Sequence, residues 1–195
     1  GFIGSHYVRT LLGDAWGLSS PEQVTVLDKL TYAGNLANLT PVIDDPRLIF
    51  VEGDILDRAL VDQLMPTVDA VVHFAAESHV DRSILGAADF VMTNVVGTQT
   101  LLDSALHHGV DKFVHVSTDE VYGSVDVGHA REDALLAPRS PYAAAKAAGE
   151  LLVRSYVITH GLDAVVTRGS NTYGPFHHPE KLIPLFITNA IDERP

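Results

Sequence analysis

Lys112-Phe113-Val114-His115-Val116-Ser117, running straight into Thr118-Asp119-Glu120-Val121-Tyr122-Gly123, is the stretch on which the fold turns. A short run with β-branched residues stops in a polar segment closed by glycine, the pattern of a strand that delivers side chains to a sheet edge. Outward from it, similar runs lie at residues 70–74 and 164–167, and further upstream at 24–28 and 48–51. Between these runs, residues 5–12, 59–65, 89–106 and 141–159 carry apolar side chains at helical spacing. Strands alternating with helices argue for parallel βαβ units, and continuously apolar strands argue for a sheet covered on both faces. The expected fold class is α/β, with a doubly wound parallel sheet.

The last helix has the clearest ends: Ser140 suits the N-cap, Pro141 the first helical position and Gly161 the C-terminal stop. Residues 128–139 are expected to form an exposed loop, and residues 13–22 a loop insertion. No internal repeat, low-complexity tract or linker is visible. Gly1-Phe2-Ile3-Gly4-Ser5 reads as the second half of a glycine-rich turn whose preceding strand and first glycine lie upstream. Residues 183–191 read as a helix in progress. The chain is therefore expected to be a piece of a longer protein, weakly active at best by itself.

With 195 residues, 46% of them hydrophobic, the chain can bury one sizeable core. Its formal charge of −12 and only 13 Lys and Arg exclude a general nucleic-acid surface. An anionic substrate would need a local basic pocket. The absence of cysteine excludes disulfides, thiolate metal sites and thiol nucleophiles. No apolar run approaches the roughly 20 residues needed to span a bilayer, so no membrane partner is expected and cytoplasmic is the simplest placement. The Asn38-Leu39-Thr40 sequon reads as chance.

The chemistry is carried by a few strand ends. Gly1 and Gly4 can let the backbone approach a pyrophosphate at the N-terminus of the following helix. Alone such a turn is weak, but Asp28 ends the next strand, where a carboxylate would accept hydrogen bonds from an adenosine ribose. That charge would repel a 2′-phosphate, which favours NAD over NADP. Asp54, in Gly53-Asp54-Ile55, reads either as an adenine contact or as a helix N-cap. Ala75 and Ala76 permit close approach to a cofactor, or simply pack. Tyr142 and Lys146 are four apart on one helix face, where an ammonium would favour the phenolate and let the tyrosine act as a base. An exposed pair is the bland alternative. Asp119 and Glu120 lie just past a strand end, where two carboxyls held at different pKa values could donate and accept a proton in eliminating water. The ten histidines include His107-His108 and His177-His178, but no metal-binding spacing occurs and no metal is expected. Lys181 could meet a substrate phosphate or be solvated.

At this point the chain resembles the extended short-chain dehydrogenase/reductase family, and within it the nucleotide-sugar 4,6-dehydratases. The resemblance is carried by Gly1 to Ser5, Asp28-Lys-Leu-Thr-Tyr-Ala-Gly-Asn35, Ala75-Ala-Glu-Ser-His-Val-Asp-Arg-Ser83, Thr93-Asn-Val-Val-Gly97, Ser117 to Gly123, Ser140-Pro-Tyr-Ala-Ala-Ala-Lys146, Ser170-Asn-Thr-Tyr-Gly-Pro175 and Pro179-Glu-Lys-Leu-Ile-Pro184. It covers almost the whole chain. The glycine turn and YxxxK belong to the wider family, whereas the strings at 28–35, 117–123 and 179–184 are specific to the dehydratases.

The resemblance implies a Rossmann-type NAD-binding domain over residues 1–170, lacking its first strand, and the start of a nucleotide-sugar-binding part over 171–195. It implies a hydro-lyase that converts dTDP-glucose to the 4-keto-6-deoxy sugar by C4 oxidation, 5,6-elimination and hydride return to C6. Tyr142 would be the base, Thr118 would share its hydrogen bond, Lys146 would orient the ribose, Glu120 would take the C5 proton and Asp119 would protonate the leaving hydroxyl. The implied NAD contacts are Gly1, Phe2, Ile3, Gly4, Asp28, Lys29, Leu30, Thr31, Asp54, Ile55, Ala75, Ala76, Ser78, Thr93, Tyr142, Lys146 and Thr172. The implied substrate contacts are Ser78, His79, Thr118, Asn171, Lys181, Leu182, Ile183, Pro184, Leu185 and Phe186. A homodimer through the helices at 89–106 and 141–159 is also implied. The alternatives are a nucleotide-sugar epimerase, a decarboxylase, a GDP-mannose dehydratase, or a non-catalytic nucleotide sensor. The Asp119-Glu120 pair speaks against an epimerase, and the intact Tyr142 and Lys146 against a sensor.

Overall fold

A computed structural model describes residues 1–13, 17 and 20–194. In chain order the elements are α1 (Phe2–Leu12), β1 (Val24–Asp28), β2 (Leu48–Glu52), α2 (Arg58–Leu64), β3 (Ala70–His73), α3 (Val80–Leu85), α4 (Ala88–Val91), α5 (Thr98–His108), β4 (Lys112–Thr118), α6 (Pro141–His160), β5 (Ala164–Gly169) and α7 (Leu182–Ile191). The five expected strands are present with boundaries shifted by two residues at most. Part of the insertion expected at 13–22 lies outside the described residues.

Among the described residues the strands form two parallel sheets, β1-β2 and β3-β4-β5. The chain divides into two compact units, Gly1–Gly53 with Asn171–Pro195, and Asp54–Ser170. In the first, Val8, Leu12 and Leu39 form a core against Val24, Val26, Val42, Leu48 and Phe50. In the second, β4 is the middle strand, pairing His73 with His115 on one side and Thr118 with Gly169 on the other. Its Phe113 and His115 are fully buried, as are Leu102, Ala105 and Val121. No helix among the described residues is long and apolar enough to cross a membrane.

Helix α6 forms where its caps predict. The Ser140 hydroxyl accepts from the Ala143 amide at 3.1 Å, and Gly161 closes the helix in the left-handed conformation with φ 72°. Its buried face combines the small residues Ala143, Ala145, Ala147 and Gly149 with Lys146, Glu150 and Val153. A Cβ at Gly149 would stand 3.0 Å from the Asn94 carbonyl and 3.3 Å from His115 Nε2, so the helix reaches its neighbours only because a side chain is missing there.

Four features differ from the sequence reading. The helix anticipated over 89–106 is broken by a π-helical segment, Met92–Gly97, between α4 and α5. Residues Asp119–Tyr122, read as loop, form a 3₁₀ turn on a Thr118 cap, because the Thr118 hydroxyl accepts from the Glu120 amide at 3.2 Å. Leu36–Val42 is also 3₁₀, and Asp57 rather than Asp54 caps α2.

The buried pair His73 and His115 lies with ring centroids 5.2 Å apart. Burial, and then the charge of Lys146, push His115 down to about 3, while burial, His115 and Lys146 lower His73. Both groups take up protons on unfolding from a pKa near 6.5, so stability is full above that value and is lost as pH falls towards the folded-state values. Carboxylates lowered by their partners, such as Asp45 at about 2, act only below their unfolded value of 3.8. The interval from about pH 6.5 to pH 4 therefore isolates the histidines, with His177 adding to the slope. Neither His115 ring nitrogen has a hydrogen-bond partner, so an apolar replacement of similar size forfeits no bond. Urea unfolding of His115→Leu at pH 7.5, 6 and 4.5 is expected to show unchanged or higher stability at 7.5. The slope below 6.5 should be shallower by up to about 1.4 kcal/mol per pH unit; an equal slope in both proteins refutes the assignment.

Candidate active site

The strand end of β4 and the first turns of α6 bring together the five residues expected to be catalytic, all in the Asp54–Ser170 unit. Thr118 closes β4, Asp119 and Glu120 begin the 3₁₀ turn, and Tyr142 and Lys146 share one face of α6. The turn ends at Gly123, with φ 76° and ψ −153°, and a Cβ there would lie 2.2 Å from the Ala137 carbonyl oxygen. Only glycine fits such a backbone conformation without strain. The Ala137 amide donates to the Val121 carbonyl at 2.9 Å and pins the turn from its other side.

Lys146 is only 4% exposed. Its ammonium donates to the Val116 carbonyl oxygen at 2.6 Å, within β4. Burial lowers its pKa to about 8, and Glu150, one turn further along α6, opposes that shift. The expectation that this lysine would hold Tyr142 as a phenolate is not met in this arrangement. Burial first, then the charge of Glu120, and finally Asp119 push Tyr142 up to about 12, against a hydrogen bond from Thr118 that favours the phenolate. The main reason is burial of the phenol, with the charges of Glu120 and Asp119 adding to it, while the ammonium bonds the Val116 carbonyl. Phe90 meets the Tyr142 ring edge-on at 6.4 Å.

Beside this cluster, the Asn94 side chain both accepts from the Glu77 amide and donates to the Glu77 carbonyl, each at 2.9 Å. These two hydrogen bonds to the backbone of Glu77 tie the segment carrying Ala75, Ala76, Ser78 and His79 to Asn94. Asn94 sits in the π-helical segment, and its own carbonyl accepts from Thr98, whose hydroxyl lies 3.0 Å from His73 Nε2. Helical periodicity gives no hint of it; the insertion of an extra residue into a helical turn is what turns Asn94 inward. Ile55 packs so closely on the same segment that a Cβ at Gly97 would stand 2.5 Å from its Cδ1.

Asp54 and Thr93 also belong to this unit, and the remaining candidates lie in the other. Helix α1 starts at Gly1 with no side-chain cap bond, leaving its first amides free for an anion. The terminal ammonium of Gly1 lies 2.9 Å from Asp28 Oδ2. Asp28 Oδ1 accepts from the Leu30 amide at 2.8 Å and bends the chain through Leu30 at φ 52°. Gly34 packs on that bend, with a Cβ position only 2.6 Å from Leu30 Cα. Phe2, with Gly1, Ile3 and Gly4 around it, stacks on His177 at 4.5 Å. Lys29, Thr31, Asn171 and Thr172 are exposed. Lys181 is the N-cap of α7, and Leu182, Ile183, Pro184, Leu185 and Phe186 run through its first turns, a helix that buries none of its side chains. The proposed cofactor and substrate contacts are thus divided between the units: residues 1–4, 28–31, 171–172 and 181–186 in one, and the rest in the other.

A dinucleotide fits what each unit presents. The free amides at the start of α1 and the carboxylate of Asp28 suit a pyrophosphate and a ribose. Small Ala75 and Ala76, just past the end of β3, suit the close approach of a second ribose.

A family model described as the NAD dependent epimerase/dehydratase family matches residues 1–195. A dTDP-glucose 4,6-dehydratase of Streptomyces niveus is 58% identical over 192 residues, covering 98% of this chain and 57% of that protein. The crystal structure of DesIV, a dTDP-glucose 4,6-dehydratase from Streptomyces venezuelae with NAD bound, superposes with a TM-score of 0.97 at 60% identity, covering 99% of this chain and 60% of that one. UDP-glucuronic acid 4-epimerase from Bacillus cereus, in complex with UDP-glucuronic acid and NAD, gives 0.90 at 30% identity, with coverage of 100% and 62%. The chain spans about three fifths of the length of these relatives.

The electrostatic arrangement is testable without substrate. Replacing Glu120 by glutamine removes the larger carboxylate influence on Tyr142, so its midpoint is expected to fall from about 12. Carbon-13 NMR of the tyrosine ζ-carbon, assigned with Tyr142→Phe, reads it directly; an unchanged or higher midpoint contradicts the arrangement.

Proposed function

Because this chain belongs to the NAD dependent epimerase/dehydratase family, we propose that the protein it represents dehydrates dTDP-glucose to dTDP-4-keto-6-deoxyglucose with NAD as cofactor. The observation that carries this reading is the convergence of Thr118, Asp119 and Glu120 on the Tyr142 phenol, with Lys146 one turn along the same helix. An acid and a base for eliminating water stand beside the tyrosine that begins an oxidation.

Tyr142 accepts the proton of the glucose 4-hydroxyl, with Thr118 sharing the hydrogen bond to that oxygen. Bound NAD would supply the hydride acceptor for C4 and the hydride donor for C6, the latter balanced by return of a proton to C5. The ketone at C4 acidifies the C5 proton, which Glu120 removes. Asp119 protonates the departing 6-hydroxyl, so that water leaves and a 4-keto-5,6-ene remains. Lys146, fixed on the Val116 carbonyl, is within the site to orient ribose hydroxyls. The cofactor contacts in this reading are Gly1, Phe2, Ile3, Gly4, Asp28 to Thr31, Asp54, Ile55, Ala75, Ala76, Ser78, Thr93 and Thr172. Ser78 and His79 would face the hexose, with Asn171 and Lys181 to Phe186 serving the nucleotide diphosphate.

In this reading residues 1–170 belong to the NAD-binding domain and 171–195 begin the nucleotide-sugar part. The protein works in the cytoplasm as a homodimer, whose contact would cover the exposed apolar side chains Val91, Met92, Leu151 and Ile158 on α4, the π-helical segment and α6. An epimerase on the same fold is disfavoured by Asp119 and Glu120, which C4 inversion does not require.

Incubating the full-length protein with dTDP-glucose, without added NAD, is expected to yield the 4-keto-6-deoxy sugar nucleotide. No product overturns the reading, and a C4 epimer replaces it with an epimerase. In the same protein, Glu120→Gln is expected to reduce bound NAD yet release no dehydrated product. The loss in turnover should be roughly 100- to 10,000-fold, the range for removing a general base. Normal turnover would remove Glu120 from that role.

A further inference from the structure

One buried ionic assembly in the Asp54–Ser170 unit has no part in the proton and hydride steps. Glu150 lies on α6 eight residues after Tyr142 and four after Lys146, hence on the same stripe, and its side chain is 4% exposed. Arg168 of β5 donates to it three times: Nε to Oε1 and Oε2 at 3.1 and 3.0 Å, and Nη2 to Oε2 at 2.6 Å. Its remaining arm turns the other way. Nη1 donates to the Tyr122 hydroxyl at 2.7 Å and to the Glu132 carbonyl at 2.9 Å, and the guanidinium lies 4.9 Å from the Tyr122 ring centroid. Tyr122 is the last residue of the 3₁₀ turn that holds Asp119 and Glu120.

We propose that Arg168 is a positioning residue for the dehydration half of the reaction, setting the distance between the carboxylate turn and the helix that carries Tyr142 and Lys146. This rests on the dehydratase reading above. The guanidinium is a rigid planar fork, so grasping Glu150 with two nitrogens fixes the direction of the third. Tyr122, and the turn ending on it, is held at one distance from α6. Lys146 needs no such help, because it is anchored to β4 through Val116. Loosening the fork therefore displaces Asp119 and Glu120 and leaves Tyr142 and Lys146 in register. Oxidation at C4 survives, whereas proton transfer at C5 and departure of the 6-hydroxyl, which tolerate little displacement of the acid and base, do not.

Two substitutions separate this role from mere support of the fold. Tyr122→Phe keeps the Arg168–Glu150 pair and the ring but removes the hydroxyl that accepts from Nη1. Arg168→Lys keeps the charge beside Glu150 but cannot reach both partners. In single-turnover experiments on the full-length protein with dTDP-glucose, absorbance of reduced nicotinamide follows oxidation and solvent deuterium at C5 follows elimination. Both variants are expected to reduce bound NAD at nearly the parent rate and then accumulate NADH, with elimination slowed roughly 10- to 100-fold. The loss should lie in kcat with KM little changed. Tyr122→Phe, which leaves no buried charge unpaired, secures the test if Arg168→Lys folds poorly. Equal loss of both half-reactions in Tyr122→Phe, or no loss in either, overturns the positioning role while the dehydratase reading stands. A parent protein that forms no dehydrated product overturns both.

Discussion

A lysine ammonium buried under a helix and bonded to the carbonyl of the strand beneath it governs this half of the molecule. An ammonium removed from water at such cost must have a partner, and the Val116 oxygen at 2.6 Å is the one it takes. That bond fixes how α6 is rotated over β4. Once Lys146 points down, Tyr142 one turn earlier and Glu150 one turn later lie on the same stripe, the first toward the Thr118 end of the strand and the second toward Arg168. The small residues Ala143, Ala147 and Gly149 let the helix come near enough for the bond to form. Catalytic placement and core packing are here one constraint.

The electrostatics follow from the same placement. Positive charge sits low, at Lys146 and Arg168, and negative charge sits at the rim, at Asp119 and Glu120. The phenol lies between, buried, and feels the rim more than the base of the site. Burial and carboxylates raise Tyr142 while burial lowers Lys146, so the cofactor-free arrangement holds the tyrosine protonated. His73 and His115, crowded by the same lysine, are kept neutral and carry no charge into the core.

The strands could be read from the sequence because each is a short apolar run ending in a polar or small residue. Helix α6 could be read because Ser140, Pro141 and Gly161 mark its ends by local chemistry. The Asp119-Glu120 pair and the Tyr142–Lys146 spacing were visible as motifs, and the structure brings them together at one strand end. What stayed hidden is non-local or breaks a period. The direction of the lysine bond, to Val116 rather than toward the tyrosine, depends on the strand underneath. Asn94 is aimed by a π-helical turn that a 3.6-residue period conceals. Glu150 is visible as an acid continuing the 142–146 stripe amid alanines, but its partner Arg168 lies 18 residues away on a strand. Asp54 was open to two readings, and its neighbour Asp57 proved to be the cap.

The Arg168–Glu150–Tyr122 contact also has a handedness of charge that bears on how descendants of this chain can drift. An ordinary ion pair can be inverted over generations, with acid and base exchanging places. Here the cation lies against an aromatic face and a peptide carbonyl, both of which would repel a carboxylate at position 168. Exchange of the two residues leads nowhere stable, and each single step towards it strands a charge in the interior. The pair can be given up without stranding a charge only if Arg168 and Glu150 are replaced together.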